Sequence, residues 1–92
     1  MRIIGYIEHS SLKITVFQMD NRLSIKFENG QYEQVYKFRS GEGVDRMHEA
    51  QALVNQEFIT KVQQFFAQMH QLKMETLASQ VAEEADEFEE II

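Results

Sequence analysis

Leu23-Ser24-Ile25-Lys26-Phe27-Glu28-Asn29-Gly30-Gln31-Tyr32-Glu33-Gln34-Val35-Tyr36-Lys37-Phe38 is the stretch that decides the fold. Two runs that alternate apolar with polar residues meet at Asn29-Gly30. Both of these residues tolerate positive φ, and a two-residue type I′ turn has the twist that antiparallel strands need. Closed that way, Phe27 faces Tyr32, Ile25 faces Gln34 and Leu23 faces Tyr36. On the other side Lys26 faces Glu33 and Arg22 faces Lys37. One face of the hairpin is then mostly apolar and the other mostly charged, the pattern of a half-buried antiparallel sheet.

The residues before the hairpin repeat the pattern. Met1 to His9 alternates, with Ile3, Gly5 and Ile7 on one face and Arg2, Ile4 and Tyr6 on the other. Ser10-Ser11 supplies a turn. Leu12 to Met19 alternates again, and Asp20-Asn21 supplies the next turn. Joined, these segments predict a four-stranded antiparallel meander in the order 1-2-3-4. Its core rows read Ile7, Ile14, Phe27, Tyr32, then Gly5, Val16, Ile25, Gln34, then Ile3, Gln18, Leu23, Tyr36. Gly5 inside a strand predicts a close approach, most simply by the backbone of a crossing helix. Gln18 and Gln34 on the core face require rim positions or hydrogen-bond partners.

After the link Ser40-Gly41-Glu42-Gly43 the apolar spacing becomes helical. Val44, Met47, Val54, Phe58, Val62, Phe65, Met69 and Leu72 form a stripe, widened by Ala50, Ile59, Phe66 and Leu77. One long C-terminal helix covering one sheet face is the expectation, giving an α+β chain of order ββββα. At about 1.5 Å per residue a helix over 44–80 is ~55 Å long, whereas an eight-residue strand spans only ~26 Å. The helix therefore overhangs its sheet, or it breaks near Asn55 and folds back. Either way Phe65, Phe66, Met69, Leu72 and Leu77 need more burial than one small sheet offers. A second copy of the chain is the simplest partner, and these five residues are the expected dimer interface.

Composition bounds the rest. Ninety-two residues suit one domain, here 1–82, followed by an acidic segment at 83–92 expected to be mobile. Proline and cysteine are both absent, so disulfides and thiolate chemistry are excluded. No signal peptide or membrane-length apolar run is visible, and a soluble cytoplasmic protein is expected. The net charge of −6 is unevenly spread: residues 83–90 hold six of the fifteen acids, which leaves nine against the nine bases elsewhere. The first 41 residues carry six bases and four acids, so the sheet region is mildly basic.

Chemistry is sparse. His48 and His70 are twenty-two residues apart, roughly 33 Å along an unbroken helix, too far to share a metal. His9 sits beside a turn. The Ser40–Gly43 link lacks the spacing of a phosphate loop. Serines have no nucleophile elbow, and no carboxylates are held by local spacing as an acid/base pair. Neither an enzymatic activity nor a cofactor or metal is expected.

Two surfaces remain. On the outer sheet face Ile4, Tyr6, Phe17 and Met19 lie beside Arg2, Arg22, Lys26 and Lys37 in the expected register. Rings among cations suit single-stranded nucleic acid, since bases stack and phosphates pair. The same patch suits another protein or a second copy, with the charges as a rim. The element order ββββα over residues 2–80 resembles the repeat of PUR-alpha and whirly nucleic-acid-binding proteins, which implies the first reading and carries no site residue with it. The run Glu83-Glu84-Ala85-Asp86-Glu87-Phe88-Glu89-Glu90-Ile91-Ile92 is similar to the acidic, hydrophobic-ended tip of bacterial single-stranded DNA-binding proteins. That resemblance implies partner docking through Phe88, Ile91 and Ile92; a solvated helix end or a disordered tail is the other reading. The functional expectation is a small interaction or adaptor protein, acting as a homodimer without catalysis. Single-stranded nucleic-acid binding is the alternative, and no membrane partner is expected.

Overall fold

The computed structural model has the order β1 (Arg2–Ile7), β2 (Lys13–Met19), β3 (Arg22–Glu28), β4 (Glu33–Arg39), α1 (Met47–Leu53) and α2 (Gln56–Ile91). It describes residues 1–80 with their side chains, and residues 81–91 only as part of α2. The side chains of the acidic segment 83–92, those of Phe88, Ile91 and Ile92 included, lie outside the described residues. The strands form one antiparallel sheet in the order β1-β2-β3-β4. The chain falls into two compact units, Met1–Val62 and Gln63–Ile92.

In the first unit the meander forms, and the central pair has the expected register: Ile14 opposes Phe27, Val16 opposes Ile25 and Gln18 opposes Leu23. Asp20-Asn21 closes it as a two-residue turn, with Asp20 in the left-handed region at φ 52°. Two details differ from the expectation. The β3–β4 loop is four residues long, because the last pair is Glu28 with Glu33. Asn29 keeps negative φ and uses its side chain instead, accepting the Gln31 and Tyr32 N–H groups at 3.1 and 2.9 Å, while Gly30 alone takes positive φ. Such an Asx turn satisfies the loop without a type I′ backbone. Phe27 therefore opposes Gln34, Ile25 opposes Tyr36 and Leu23 opposes Phe38. A slip of two residues leaves every side chain on its face, so the apolar pattern survives.

The second difference does change faces. Ile7 and Gly5 oppose Ile14 and Val16 as expected, but Ile3 then opposes Phe17 and Arg2 opposes Gln18. Ile4 is an extra residue, a β-bulge in an edge strand, where bulges turn an open edge away from further pairing. Arg2 is thereby moved to the register of the core-face row, and Ile3 joins the outer face. Met47 lies directly over Gly5: a Cβ there would fall 2.7 Å from its Cε and 2.8 Å from its Sδ. The close approach expected at Gly5 is thus a side chain at the start of α1, not a helix backbone.

The apolar stripe from Val44 is divided between two helices. The Glu49 carboxylate accepts the Asp45 and Arg46 N–H groups, both at 3.0 Å, and so starts α1 at Met47. Asn55 separates α1 from α2: its side chain accepts the Phe58 N–H at 2.9 Å, a strong N-cap that begins a second helix. The core lies between the inner sheet face and these helices. Ile14, Val16, Ile25, Phe27, Ala50 and Val62 are all at most 1% exposed. Phe27, Tyr36 and Phe58 form an aromatic cluster with ring centroids 5.3–5.7 Å apart.

Gln34, awkward on a core face, has its partners. Its Nε2 donates to the Val62 carbonyl at 2.9 Å, and its Oε1 accepts from the Tyr36 hydroxyl. Burial raises the Tyr36 phenol above its ordinary value of 10.0. The folded chain thus holds this proton more tightly than the unfolded one. Its stabilising contribution is complete below pH 10 and is lost as the pH climbs through the raised folded value. The melting temperature is expected to fall more steeply above pH 10 in the wild type than in Tyr36→Phe, as thermal scans across that range will read. Parallel curves would detach this phenol from alkaline stability.

The second unit consists of α2 beyond Val62. Its i,i+4 pairing includes Gln71 donating to Glu75 at 3.0 Å.

Candidate interaction surfaces

The outer sheet face is a grid of four rows. Across β2, β3 and β4 they read Lys13, Glu28, Glu33; then Thr15, Lys26, Val35; then Phe17, Ser24, Lys37; then Met19, Arg22, Arg39. β1 adds Tyr6 beside Thr15 and Ile3 beside Phe17. Four large apolar side chains stand open on it: Ile3, Tyr6, Met19 and Val35 are 42–56% exposed. Between them Thr15 is 1% exposed although it faces outward.

The cations of this face are not equivalent. Lys26 Nζ sits 2.9 Å from the Glu28 carboxylate and 5.5 Å from the centre of the Phe17 ring. The hydrogen bond to Glu28 raises the Lys26 pKa, and the same bond lowers that of Glu28. Lys26 is therefore a neutralised pair folded over an aromatic ring. Arg22 and Arg39 oppose each other directly, with Lys37 one position away on the same face. Like charges in register repel, and among the described residues no acid forms an ion pair with any of the three side chains, although the Glu42 carboxylate accepts the Arg39 backbone N–H at 3.1 Å. The charge is thus segregated. One end of the face is cationic, and the other, near Asn29-Gly30, carries Glu28 and Glu33 beside Lys13.

Of the residues expected in this patch, Tyr6, Phe17, Met19, Arg22, Lys26 and Lys37 share the face. Ile4 is the bulged residue, and Arg2 is displaced from the face by that bulge. Val35 is on the outer face as alternation expects, and Ile3 and Arg39 take part although the expected register did not place them there. Arg39 was hidden by the expected two-residue turn, which placed Lys37 opposite Arg22. The side chain of Asn29, able to close a longer loop, was the available signal.

The second surface is on α2. Phe65 and Leu72 are 48% and 65% exposed, and Met74 and Leu77 are 49% and 42% exposed. Phe65, Met69, Leu72, Thr76 and Ser79 follow one another at alternating spacings of four and three, the seam of helices packed side by side. Thr76 Oγ1 donates to the Leu72 carbonyl at 2.8 Å, so its hydroxyl is satisfied within the helix. Leu77 lies about 140° round the helix from Leu72 and off this seam. Phe66 is 5% exposed within one chain and is not open to a second copy.

The histidines stay apart in the fold. His9 accepts the Ser11 N–H at 3.2 Å, His48 lies on α1 and His70 on α2. Among the described residues no three His, Cys, Asp or Glu side chains are grouped as a metal site, and no helix is long and apolar enough to cross a membrane. Compared with models of protein families, with curated proteins and with solved structures, the chain gives no match.

Proposed function

We propose that this chain is a non-enzymatic interaction protein that acts as a homodimer through the seam of Phe65, Met69 and Leu72. The observation that carries the reading is Leu72, 65% exposed on a unit that consists of a single helix. A lone helix has nothing of its own against which to bury such a side chain. Most helical stability in water comes from packing an apolar face, so the missing surface is best supplied from outside the unit. Because the chain has no cysteine, Leu72→Cys introduces a single thiol. Mild oxidation of that variant is expected to give a disulfide-linked pair at micromolar concentration, and Met74→Cys is expected to give little. Equal, weak crosslinking at both positions would count against the seam.

Single-stranded nucleic acid remains the second reading, supported by the cationic corner of Arg22, Lys37 and Arg39, with the exposed Tyr6 on the opposite edge strand of the same face. Lys26 and Phe17 support it less, since each occupies the other and Glu28 neutralises the cation. On this reading Phe17→Ala costs about 1–3 kcal/mol of oligonucleotide affinity, and binding weakens with salt as counterions are released. A titration of labelled single-stranded DNA and RNA at low salt measures both. No binding at low salt ends the nucleic-acid reading.

A further inference from the structure

The outer sheet face carries its own complement, and we propose that it packs on the outer face of a second copy with the rows reversed, in a contact separate from the α2 seam. Two identical sheets that pack face to face with their strands aligned do so about a two-fold axis lying between them, and that axis runs either along the strands or across them. The rows decide between the two. An axis along the strands sets each row on itself, so that the cationic corner of Arg22 and Arg39 lies against the same end of the partner. An axis across the strands sets the last row on the first. Arg22 then lies over Glu28 of the second copy and Arg39 over Glu33.

The middle rows fit the same operation. Ile3 lies over Tyr6, and the Phe17 ring lies over Thr15, a small residue opposite a large one. The same operation sets Lys37 over Val35 and Lys26 over Ser24, so the lysine stems lie along the exposed apolar side chains of the middle rows. At both ends the Arg22 and Arg39 row meets Glu28 and Glu33, while Lys13 lies over Met19. Opposite charges at the two ends fix the orientation of such a contact. Arg39 gains the Glu33 carboxylate as counter-charge in the same step, and Arg22 shares the Glu28 carboxylate with Lys26. A chain that also pairs through α2 has two self-complementary contacts, and such chains assemble beyond the dimer.

Charge reversal tests the row order. Arg22→Glu/Arg39→Glu makes both ends of the face acidic, and Glu28→Lys/Glu33→Lys makes both ends basic. Each full-length variant alone is expected to fall by light scattering to the mass of an α2-linked pair, half that of an assembly of four closed by both contacts, because one of its contacts is lost. An equimolar mixture is expected to recover the wild-type mass, since the acidic ends of one variant meet the basic ends of the other. If Glu28→Lys unfolds the chain by stranding Lys26, as circular dichroism will read, Arg39→Glu and Glu33→Lys form the equivalent single pair. Variants that keep the wild-type mass, or a mixture that stays at half mass, overturn the proposal. So does a wild type that binds oligothymidylate through Arg22 and Arg39 while its mass is indifferent to both reversals, which assigns the face to nucleic acid.

Discussion

Phe27→Ala is expected to cost about 3–5 kcal/mol of folding stability, the range for deleting a fully buried aromatic side chain. Phe27 is 0% exposed and is paired with Ile14 on one side and Gln34 on the other. Its ring packs on Tyr36 at 5.7 Å, edge to face, and on Phe58 at 5.3 Å. The substitution therefore empties the place where β3, β4 and α2 meet within the first unit. Domains of this size are stable by only about 5–15 kcal/mol, so at least about a fifth of the total, and in a marginal domain nearly all of it, is at stake. Urea denaturation is expected to show a lower midpoint with an unchanged slope, as befits a loss of packing without a change in the surface exposed on unfolding. A loss below about 1 kcal/mol, the level of an ordinary surface substitution, would place Phe27 outside the core.

Leu72→Glu is expected to act in the opposite manner, with little effect on the fold and a large one on association. At 65% exposure the side chain contributes little to its own chain, and glutamate is a good helix former. In the seam it is otherwise. Each copy loses the burial of one leucine, about 1.5–3 kcal/mol, and two carboxylates are brought toward an apolar contact. Two copies together lose about 3 kcal/mol or more, which weakens self-association at least a hundredfold. Met74→Glu is the control: it is 49% exposed but about 200° round the helix from Leu72, and the mass is expected to stay unchanged. If both variants associate like the wild type, α2 is not the interface.

Much of this architecture was legible from strand parity and turn chemistry. Alternation in Lys13–Met19 and Arg22–Glu28, joined by a two-residue turn at Asp20-Asn21, leaves a single register, and the sheet has it. Asn29-Gly30 was ambiguous because asparagine can close a hairpin either by its backbone or by its side chain. The structure uses the side chain, yet the two-residue slip left the core pattern untouched. The bulge at Ile4 was not legible, since Ile3 and Ile4 are chemically alike and either can face the core. That one residue decides whether Arg2 or Ile3 faces outward, so it was the candidate site, more than the fold, that strand alternation misplaced. Asn55 was visible as a break point, but helical spacing continues across it, so a straight helix and a broken one fitted the pattern equally. Pairwise geometry, such as Lys26 folded between Glu28 and Phe17, has no counterpart in a linear pattern.

Light scattering of the wild-type chain across a dilution series is the sharpest test of whether this protein works as an assembly of its own copies. One chain weighs 10.8 kDa. The mass is expected to be at least twice that at the higher concentrations and to fall toward it on dilution, with Leu72→Glu shifting the fall to higher concentration. A mass of 10.8 kDa at every concentration, with α2 fully helical by circular dichroism, would rule self-assembly out.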